Sequence, residues 1–357
     1  PVQIGTDTNW VSIAGGDYHT IALKSDGTLW AWGYNRRGQL GNSTWGDYNV
    51  PVKIGTDTIW VSIAAGGWHT IALKSDGTLW AWGGNNYGQL GDATNTDKNV
   101  PVKIGTDTIW VSIAAGHEHT IALKSDGTLW AWGYNYSGQL GDGTKTSKYS
   151  PVQIGTDTNW VSIAAGFGHT IALKSDGTLW AWGRNGWGQL GDGTWTEKNS
   201  PVQIGTDTNW ASIAGGVNHT IALKMDGTLW AWGRNDWGQL GDGTNTERWS
   251  PVQIMRVSED CANGIDDDVD GLVDCDDPEC CGNAACFTNP KCNILSETLL
   301  SRPAVMSNVE VTAPDFAGTS TLNFTDLEFV KITTGSFAEK GFSKGACEAT
   351  FEGVVYT

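Results

Sequence analysis

Basic side chains are scarce in this chain of 357 residues, which has 22 Lys and Arg against 39 Asp and Glu. Phosphate binding draws its affinity from clustered Lys and Arg, so the acidic balance argues against a nucleic acid partner. The same balance disfavours an anionic membrane surface. A continuous run of about 18 apolar residues, long enough to cross a bilayer as a helix, is also absent. We therefore expect neither nucleic acid binding nor membrane insertion.

Cysteine is missing from the first 260 residues, and all seven cysteines lie beyond them. Six fall between positions 261 and 292 in an Asp-rich stretch, a density typical of disulfide-bonded extracellular segments. A zinc cluster is the alternative, although the spacings lack a clean pair of C-x2-C motifs and no His lies nearby. The expected disulfide-forming residues are Cys261, Cys275, Cys280, Cys281, Cys286 and Cys292, and the sequence leaves open both their pairing and the state of Cys347.

Repetition dominates the first 254 residues. The segment PVQIGTDTNW at 1–10 returns with at most two changes at 51, 101, 151 and 201, and PVQI returns at 251. Each unit of 50 residues holds four short strand candidates, WVSIAAG, HTIALK, TLWAWG and PVQI, with the Asp-Gly of SDGT marking a hairpin. Because a single four-stranded sheet cannot bury both faces, neighbouring units must stack. The pattern predicts an all-β propeller of four-stranded blades over residues 1–254.

The run HTIALKSDGTLWAWG followed by x-N-x-x-G-Q-L-G occurs in every unit, with Met225 replacing Ser in the last. It resembles the repeat of the regulator of chromosome condensation family. The resemblance implies a propeller, usually of seven blades, whereas this chain has five complete repeats and an orphan PVQI at 1–4. Blades are missing upstream, or the ring closes at five, or another segment completes a sixth. The chain begins at Pro1 without Met or a signal-like segment, so we expect a processed or incomplete product.

The resemblance implies a mode of action more than an activity. The founding member of the family is a nuclear exchange factor for a small GTPase that also binds chromatin, and the acidic charge of this chain disfavours that role. A secreted propeller of the family that inhibits β-lactamases through its blade loops is the closer analogy. The analogy extends to the mode of binding and not to the target.

Fifteen of the 21 tryptophans and five of the six histidines recur at one place in each unit. We interpret these tryptophans as filling space between blades and the histidines as structural rather than catalytic or metal-binding. No Ser-His-Asp set or close carboxylate pair is unique to one blade, so we expect no enzymatic activity. The recurring histidines are His19, His69, His119, His169 and His219.

Three stretches of each unit vary: the pair before the recurring His, the four residues after AWG, and the segment between GQLG and the closing Pro. In a four-stranded meander all three belong to loops at one end of the sheet. Aromatic and Arg side chains on small polar loops are typical of a recognition surface. The alternative explanation for the variation is neutral drift, since loops tolerate change. The predicted partner-binding residues are Tyr18, Tyr34, Arg36, Arg37, Trp45, Trp68, Tyr87, Tyr134, Tyr136, Arg184, Trp187, Trp195, Arg234, Trp237 and Trp249.

The acidic segment between the cysteines has Asp at alternate positions followed by Gly271, which resembles a calcium loop of the EF-hand or thrombospondin type. Asp277 stands where the EF-hand has a bidentate Glu, and no helical pattern flanks the segment. Similar segments occur in large extracellular bacterial proteins, often as linkers. A solvated acidic linker held by disulfides is the alternative. The residues expected to bind a structural calcium ion are Asp266, Asp268, Asp270, Asp274 and Asp277.

The predicted domains are the propeller at 1–254, the calcium-binding linker at 255–292 and a small β-rich attachment or assembly domain at 293–357. Together they predict a non-catalytic extracellular or cell-surface protein whose propeller binds a protein or glycan partner. The alternative is a subunit of an extracellular filament that assembles by strand exchange through its terminal segments. A hydrolase acting on surface polymers is a third, less favoured hypothesis.

Overall fold

The computed structural model describes residues 3–254, which belong to one compact unit, Pro1–Val257. The predicted linker at 255–292, with its calcium-binding and disulfide-forming residues, and the predicted domain at 293–357 lie outside the described residues. Every regular element in the described part is a strand. No helix there could therefore cross a membrane.

Twenty strands form five antiparallel sheets of four strands, and in each sheet the strands lie in sequence order. The predicted all-β architecture of four-stranded blades is confirmed. The first strands of successive blades contact one another, which places them on the inner side of the arc. The strands are β1 (Trp10–Gly15), β2 (His19–Lys24), β3 (Leu29–Gly33), β4 (Tyr48–Ile54), β5 (Trp60–Ala65), β6 (His69–Lys74), β7 (Leu79–Gly83), β8 (Lys98–Lys103), β9 (Trp110–Ala115), β10 (His119–Lys124), β11 (Leu129–Gly133), β12 (Lys148–Gln153), β13 (Trp160–Ala165), β14 (His169–Lys174), β15 (Leu179–Gly183), β16 (Lys198–Gln203), β17 (Trp210–Gly215), β18 (His219–Lys224), β19 (Leu229–Gly233) and β20 (Arg248–Gln253).

The fourth strand of each blade begins earlier than the PVQI segment that predicted it. In the first blade β4 starts at Tyr48, because this residue pairs with Gly33 at the end of β3. The register shifts between Ala31 and Gly33, an irregularity that the positive φ of Gly33, 107°, accommodates. The sequence pattern predicted that the strand begins at its Pro, and it did not predict the irregular pairing before that residue.

Each of the first four blades packs an aliphatic face against an aromatic face of the next blade. Between the first two blades, Ile21 and Leu29 of the first pack with Trp60, Ala72 and Trp82 of the second. The equivalent residues form the same core between each later pair of blades. Burying one side chain of this size contributes roughly 1.5–3 kcal/mol, so these repeated cores hold the blades together.

The recurring histidines connect one blade to the next. His69 Nε2 lies 3.0 Å from Thr120 Oγ1 of the following blade, and that hydroxyl donates to the carbonyl oxygen of Gln89 at 2.7 Å. Because the hydroxyl hydrogen is used on Gln89, the ring nitrogen Nε2 must be the donor to Thr120. The buried Nδ1 then has no partner among the described residues, so the ring is held neutral. The structural interpretation of these histidines therefore has a specific physical basis.

A buried lysine at the end of each second strand explains two framework tryptophans and the Asp of IGTDT. Lys24 Nζ lies 4.6 Å and 4.1 Å from the ring centroids of Trp10 and Trp30, and 2.7 Å from Asp7 Oδ2. The ammonium group is thus stabilised by two aromatic faces and one carboxylate. The equivalent lysines are Lys74, Lys124, Lys174 and Lys224.

The fifth blade exposes the face that the other blades bury. Leu223 and Leu229 are 38% and 43% exposed, whereas their equivalents Leu173 and Leu179 are 3% and 0% exposed. At the other end of the arc Ile13 is 75% exposed. Within residues 3–254 the blades therefore form an arc whose two outermost faces lack a neighbouring blade.

This difference between equivalent leucines predicts different responses to the same substitution. Leu179→Asp places a charge in a closed core and should lower the free energy of unfolding by about 3–5 kcal/mol. Leu229→Asp on the exposed face should cost less than about 1 kcal/mol. Urea denaturation of the two variants measures the difference, and equal losses would show that the fifth blade is covered like the others.

The buried histidines predict acid sensitivity. Burial lowers the pKa of His19 to about 4 and that of His69, His119 and His169 to about 3. Below pH 6.5 the unfolded chain binds protons that the folded chain does not, so stability falls as the pH is lowered. At pH 5 the loss should be about 1–2 kcal/mol for each buried histidine. Denaturation midpoints from pH 7 to pH 5 test this.

A matched pair of variants isolates the cause. His119→Asn should make the dependence on pH shallower, because one buried imidazole no longer takes up a proton on unfolding. His219→Asn should change the slope less, because His219 is only half-buried and makes no equivalent contact with a following blade among the described residues. An unchanged slope in the His119 variant would assign the acid sensitivity to other groups.

Candidate binding face

The sheet order fixes which loops share an end of the blade. The loop between the first and second strands and the loop between the third and fourth lie together, as Tyr34 N donates to Tyr18 O at 2.8 Å. Gly33 lies beneath this contact, where a Cβ atom would be 2.5 Å from Tyr18 O. We call the end formed by these loops in all five blades the variable face. Fourteen of the fifteen predicted partner-binding residues lie on its loops, and Trp249 lies in β20, just after the last of these loops.

The opposite end is constant for a packing reason. The turn between the second and third strands is closed by Asp26, whose Oδ1 accepts from both N and Oγ1 of Thr28. Gly27 has a φ of 74°, and Trp60 N of the next blade donates to its carbonyl oxygen at 3.3 Å. Any side chain at Gly27 would meet the backbone of Thr58. Contacts with the next blade therefore explain why these turns are constant. Whether the variable loops form a recognition surface depends on the positions and contacts of their own residues.

The longer loops of the variable face are anchored by an asparagine that is the same in every repeat, although it lies in an otherwise variable stretch. Asn135 Nδ2 donates to Asp142 Oδ1 at 3.0 Å and to Thr146 O at 3.1 Å, and its Oδ1 accepts from Leu140 N at 2.9 Å. One buried amide thus fixes both limbs of the loop. The recurrence of this Asn in x-N-x-x-G-Q-L-G was the sequence signal that could have identified it as a structural residue. The equivalents are Asn35, Asn85, Asn185 and Asn235.

Aromatic residues of the first two blades form one cluster. The ring of Tyr18 lies 5.2 Å from that of Trp68 and 6.2 Å from that of Tyr34, and Tyr34 and Trp68 are 5.7 Å apart. Tyr18 is 61% exposed. Three of the predicted residues are therefore brought together across a blade boundary.

Next to this cluster lies a charged group that the sequence analysis did not select. His117 Nε2 is 3.0 Å from Asp17 Oδ2, and its Nδ1 is 3.9 Å from Glu118 Oε2. The imidazole stacks on Phe167 at 4.1 Å between ring centroids. Gly67 makes room for this arrangement, because a Cβ atom there would be 2.5 Å from the His117 ring. All these residues belong to the variable pairs before the recurring histidines, which was the signal in the sequence.

Three tyrosines form a second aromatic cluster on the second and third blades. The ring of Tyr134 lies 4.7 Å from Tyr87 and 4.8 Å from Tyr136. Burial and the neighbouring Tyr87 and Glu118 raise the pKa of Tyr134. Tyr136 is 61% exposed. The three phenol rings present a contiguous aromatic surface.

The last two blades bring together four more of the predicted residues. The guanidinium carbon of Arg234 lies 4.6 Å from the ring centroid of Trp187, and Trp195 and Trp249 contact edge to face at 4.4 Å. Trp195 is 62% exposed. Trp237 stands apart and is 84% exposed, although its backbone N donates to Gln239 Oε1 at 2.9 Å. A rigid backbone therefore carries an exposed indole.

The remaining predicted residues are less closely grouped. Arg37 pairs with Asp97 of the next blade at 3.1 Å, and Arg36 lies 3.9 Å from Asp47. Trp45 is 49% exposed. Arg184 is half-buried and lies near Tyr134, where its charge partly offsets the rise in the pKa of that tyrosine.

The described part of the chain offers no group of three His, Cys, Asp or Glu side chains arranged to hold a metal ion. Two grooves lie between blades at the constant end, and the first is lined by framework residues such as Val61, Asp76 and Thr108. The variable face is instead an extended surface of aromatic rings and mixed charge. That form suits recognition of a large partner.

Comparisons with known proteins agree with this architecture. The human protein WBSCR16 has a similar structure, with a TM-score of 0.63 and 24% identity over 69% of this chain and 67% of that one. Prp20p of Saccharomyces cerevisiae, described for its binding to Gsp1p and histones, matches with a TM-score of 0.48 and 23% identity over 69% and 77% of the two chains. Residues 1–274 match the sequence profile of the RCC1-like domain. The chain therefore belongs to the RCC1-like domain family.

Proposed function

We propose that this protein is a non-catalytic extracellular or cell-surface propeller that binds a protein or glycan partner through its variable face. One observation carries the proposal: residues that differ between repeats lie on one end of the blades and expose indole rings there. Trp237 and Trp195 are 84% and 62% exposed on loops with fixed backbones. Large aromatic side chains on rigid loops lose little entropy on binding and are enriched at interaction hot spots.

Protein and glycan partners both suit this surface. Protein interfaces favour Trp, Tyr and Arg, the combination present in the pairs Trp187–Arg234 and Trp195–Trp249. A glycan would use the exposed faces of the same rings with neighbouring Asn and Asp side chains. The RCC1-like fold by itself does not distinguish a protein partner from a glycan partner, because one fold supports many functions.

The extracellular location and the calcium ion are further parts of the proposal. They rest on the six cysteines between residues 261 and 292 and on the alternating Asp residues among them. The absence of catalysis is supported by the four buried histidines, which occupy one equivalent position in each of the first four blades. The alternative of a filament through strand exchange depends on the segment at 1–4 and on the C-terminal residues, most of which lie outside the described residues.

Exposed indoles should matter for binding and not for folding. We expect Trp195→Ala and Trp237→Ala each to weaken partner binding about 10- to 30-fold, because each removes a large contact area. Labelled protein on arrays of glycans and of immobilised extracellular proteins measures binding, and calorimetry measures the melting temperature. The melting temperature should stay nearly constant.

Met225→Ala is the matched control, because Met225 is 71% exposed at the constant end. It should leave binding unchanged. If the control weakens binding as much as the Trp variants, or if the Trp variants bind normally, the variable face is not the binding surface.

Calcium should bind through the acidic segment. We expect isothermal titration of the full chain to give one calcium site that is lost in Asp268→Asn, because the site depends on carboxylate oxygens. Asp315→Asn, which removes the same charge further along the chain, should bind calcium normally. Equal affinity in the two variants would contradict the proposed loop.

A further inference from the structure

One arginine of the variable face lacks a counterion. The other four arginines of the described residues each lie 3.9 Å or less from a carboxylate oxygen: Arg36, Arg37, Arg234 and Arg248. Arg184 makes no ion pair in the part of the chain that the structure describes, although it is half-buried in the loop after β15. A half-buried charge without a partner is unfavourable, and an anion that approached it would remove part of that cost.

The equivalent arginine of the fifth blade shows which contacts are missing. Arg234 Nη2 lies 2.8 Å from Asp236 Oδ2, and its guanidinium carbon lies 4.6 Å from the ring centroid of Trp187 in the preceding blade. In the fourth blade Gly186 stands in place of Asp236, and in the third blade Ser137 stands in place of Trp187. The sequence therefore replaces both the carboxylate and the aromatic ring that hold this guanidinium group one blade further along.

Small residues also leave room for a ligand beside Arg184. A Cβ atom added to Gly186 would have no other atom within 4 Å. Gly168, whose carbonyl oxygen accepts from Arg184 N, stands where the other blades have Tyr, Trp, Glu or Asn. A Cβ atom at Gly168 would lie 3.5 Å from Arg184 Cβ. Neither glycine has a side chain that could cover the guanidinium group.

The tyrosine cluster borders the same position. Arg184 lies close enough to Tyr134 for its charge to oppose the rise in the pKa of that tyrosine. The ring of Tyr134 contacts Tyr87 at 4.7 Å and Tyr136 at 4.8 Å. Tyrosine and arginine are among the residues that contribute most to protein interfaces. The unpaired cation thus lies beside a contact surface and not in isolation.

The acidic residues nearby are engaged with other cations and limit the charge of a ligand. The charges that lower the pKa of Glu118 are those of His117 and Arg37, and not that of Arg184. A ligand with many negative charges, such as an acidic polysaccharide, would be repelled by Glu118 and by the exposed Asp17. A single carboxylate avoids this repulsion. The chemistry therefore favours an acidic side chain of a protein.

We propose that Arg184 binds the carboxylate of an Asp or Glu side chain of a protein partner, next to the ring of Tyr134. The inference rests on the proposed function of the variable face and selects a protein over a glycan at this position. A guanidinium group holds a carboxylate through two parallel hydrogen bonds. Partial burial strengthens that contact, because water screens it less.

The test uses a blocked glycine–glutamate–glycine tripeptide and its neutral counterpart with glutamine at the centre. Each is titrated against the full chain, and saturation-transfer NMR measures binding. The glutamate peptide should bind with a dissociation constant of about 1–10 mM and lose affinity at high salt. It should shift the NMR signal of the Arg184 Nε–H group. The glutamine peptide should do neither.

Three variants locate the contact. Arg184→Gln should weaken binding of the glutamate peptide at least about tenfold. Gly186→Asp should do the same, because it supplies the internal carboxylate that the fifth blade has in Asp236. Lys103→Gln, which removes the same charge from an exposed position at the constant end, should bind like the parent chain.

The proposal is wrong if the parent chain does not prefer the glutamate peptide, if the Arg184 and Lys103 variants bind it equally, or if Gly186→Asp has no effect. Circular dichroism shows whether each variant is folded, and Gly186→Asp gives a second reading if Arg184→Gln is not. A partner captured through Trp195 and Trp237 but not Arg184 would reject the carboxylate contact and still support binding at the variable face.

Discussion

The aliphatic face of each blade must pack on the Trp and Ala face of the next, and most of this protein follows from that interface. Leu29 and Trp82, fully buried on its two sides, come from different repeats, so no repeat is complete alone. The His–Thr hydrogen bonds and the contacts at Gly27 cross the same boundary. Identical interfaces require identical residues, which explains why fifteen consecutive letters recur almost unchanged.

The same constraint separates the two ends of the blade. At the constant end the turns contact the next blade, so Asp26, Gly27 and Thr58 have little freedom. At the variable end the Asn135 amide and its equivalents hold the loop backbone from within. The blade does not need particular side chains at the positions between these anchors, so exposed residues such as Trp195 and Trp237 can differ between repeats.

Within the variable face, inner and outer loops differ in character. The inner loops, which join the first and second strands, place carboxylates, an imidazole and aromatic rings in mutual contact across the first four blades. The outer loops of the last two blades present indole rings and Arg234. A partner that covered both regions would meet carboxylates and aromatic rings on the inner loops and exposed indole rings on the outer loops.

The repeat period, the number and order of the strands in each blade and the end of the blade that carries the diversity were predictable from the sequence, because they depend on local pattern and strand order alone. The pairing of Tyr48 with Gly33, the neutral His–Thr links and the Asn135 anchor were not, because each depends on contacts between segments far apart in the chain. For the same reason, the contacts within the variable face were not predictable from the sequence. Tryptophan composition indicated the face, but the meeting of Asp17 with His117 came from the curvature of the arc, which brings the inner loops of the first and third blades together over Gly67.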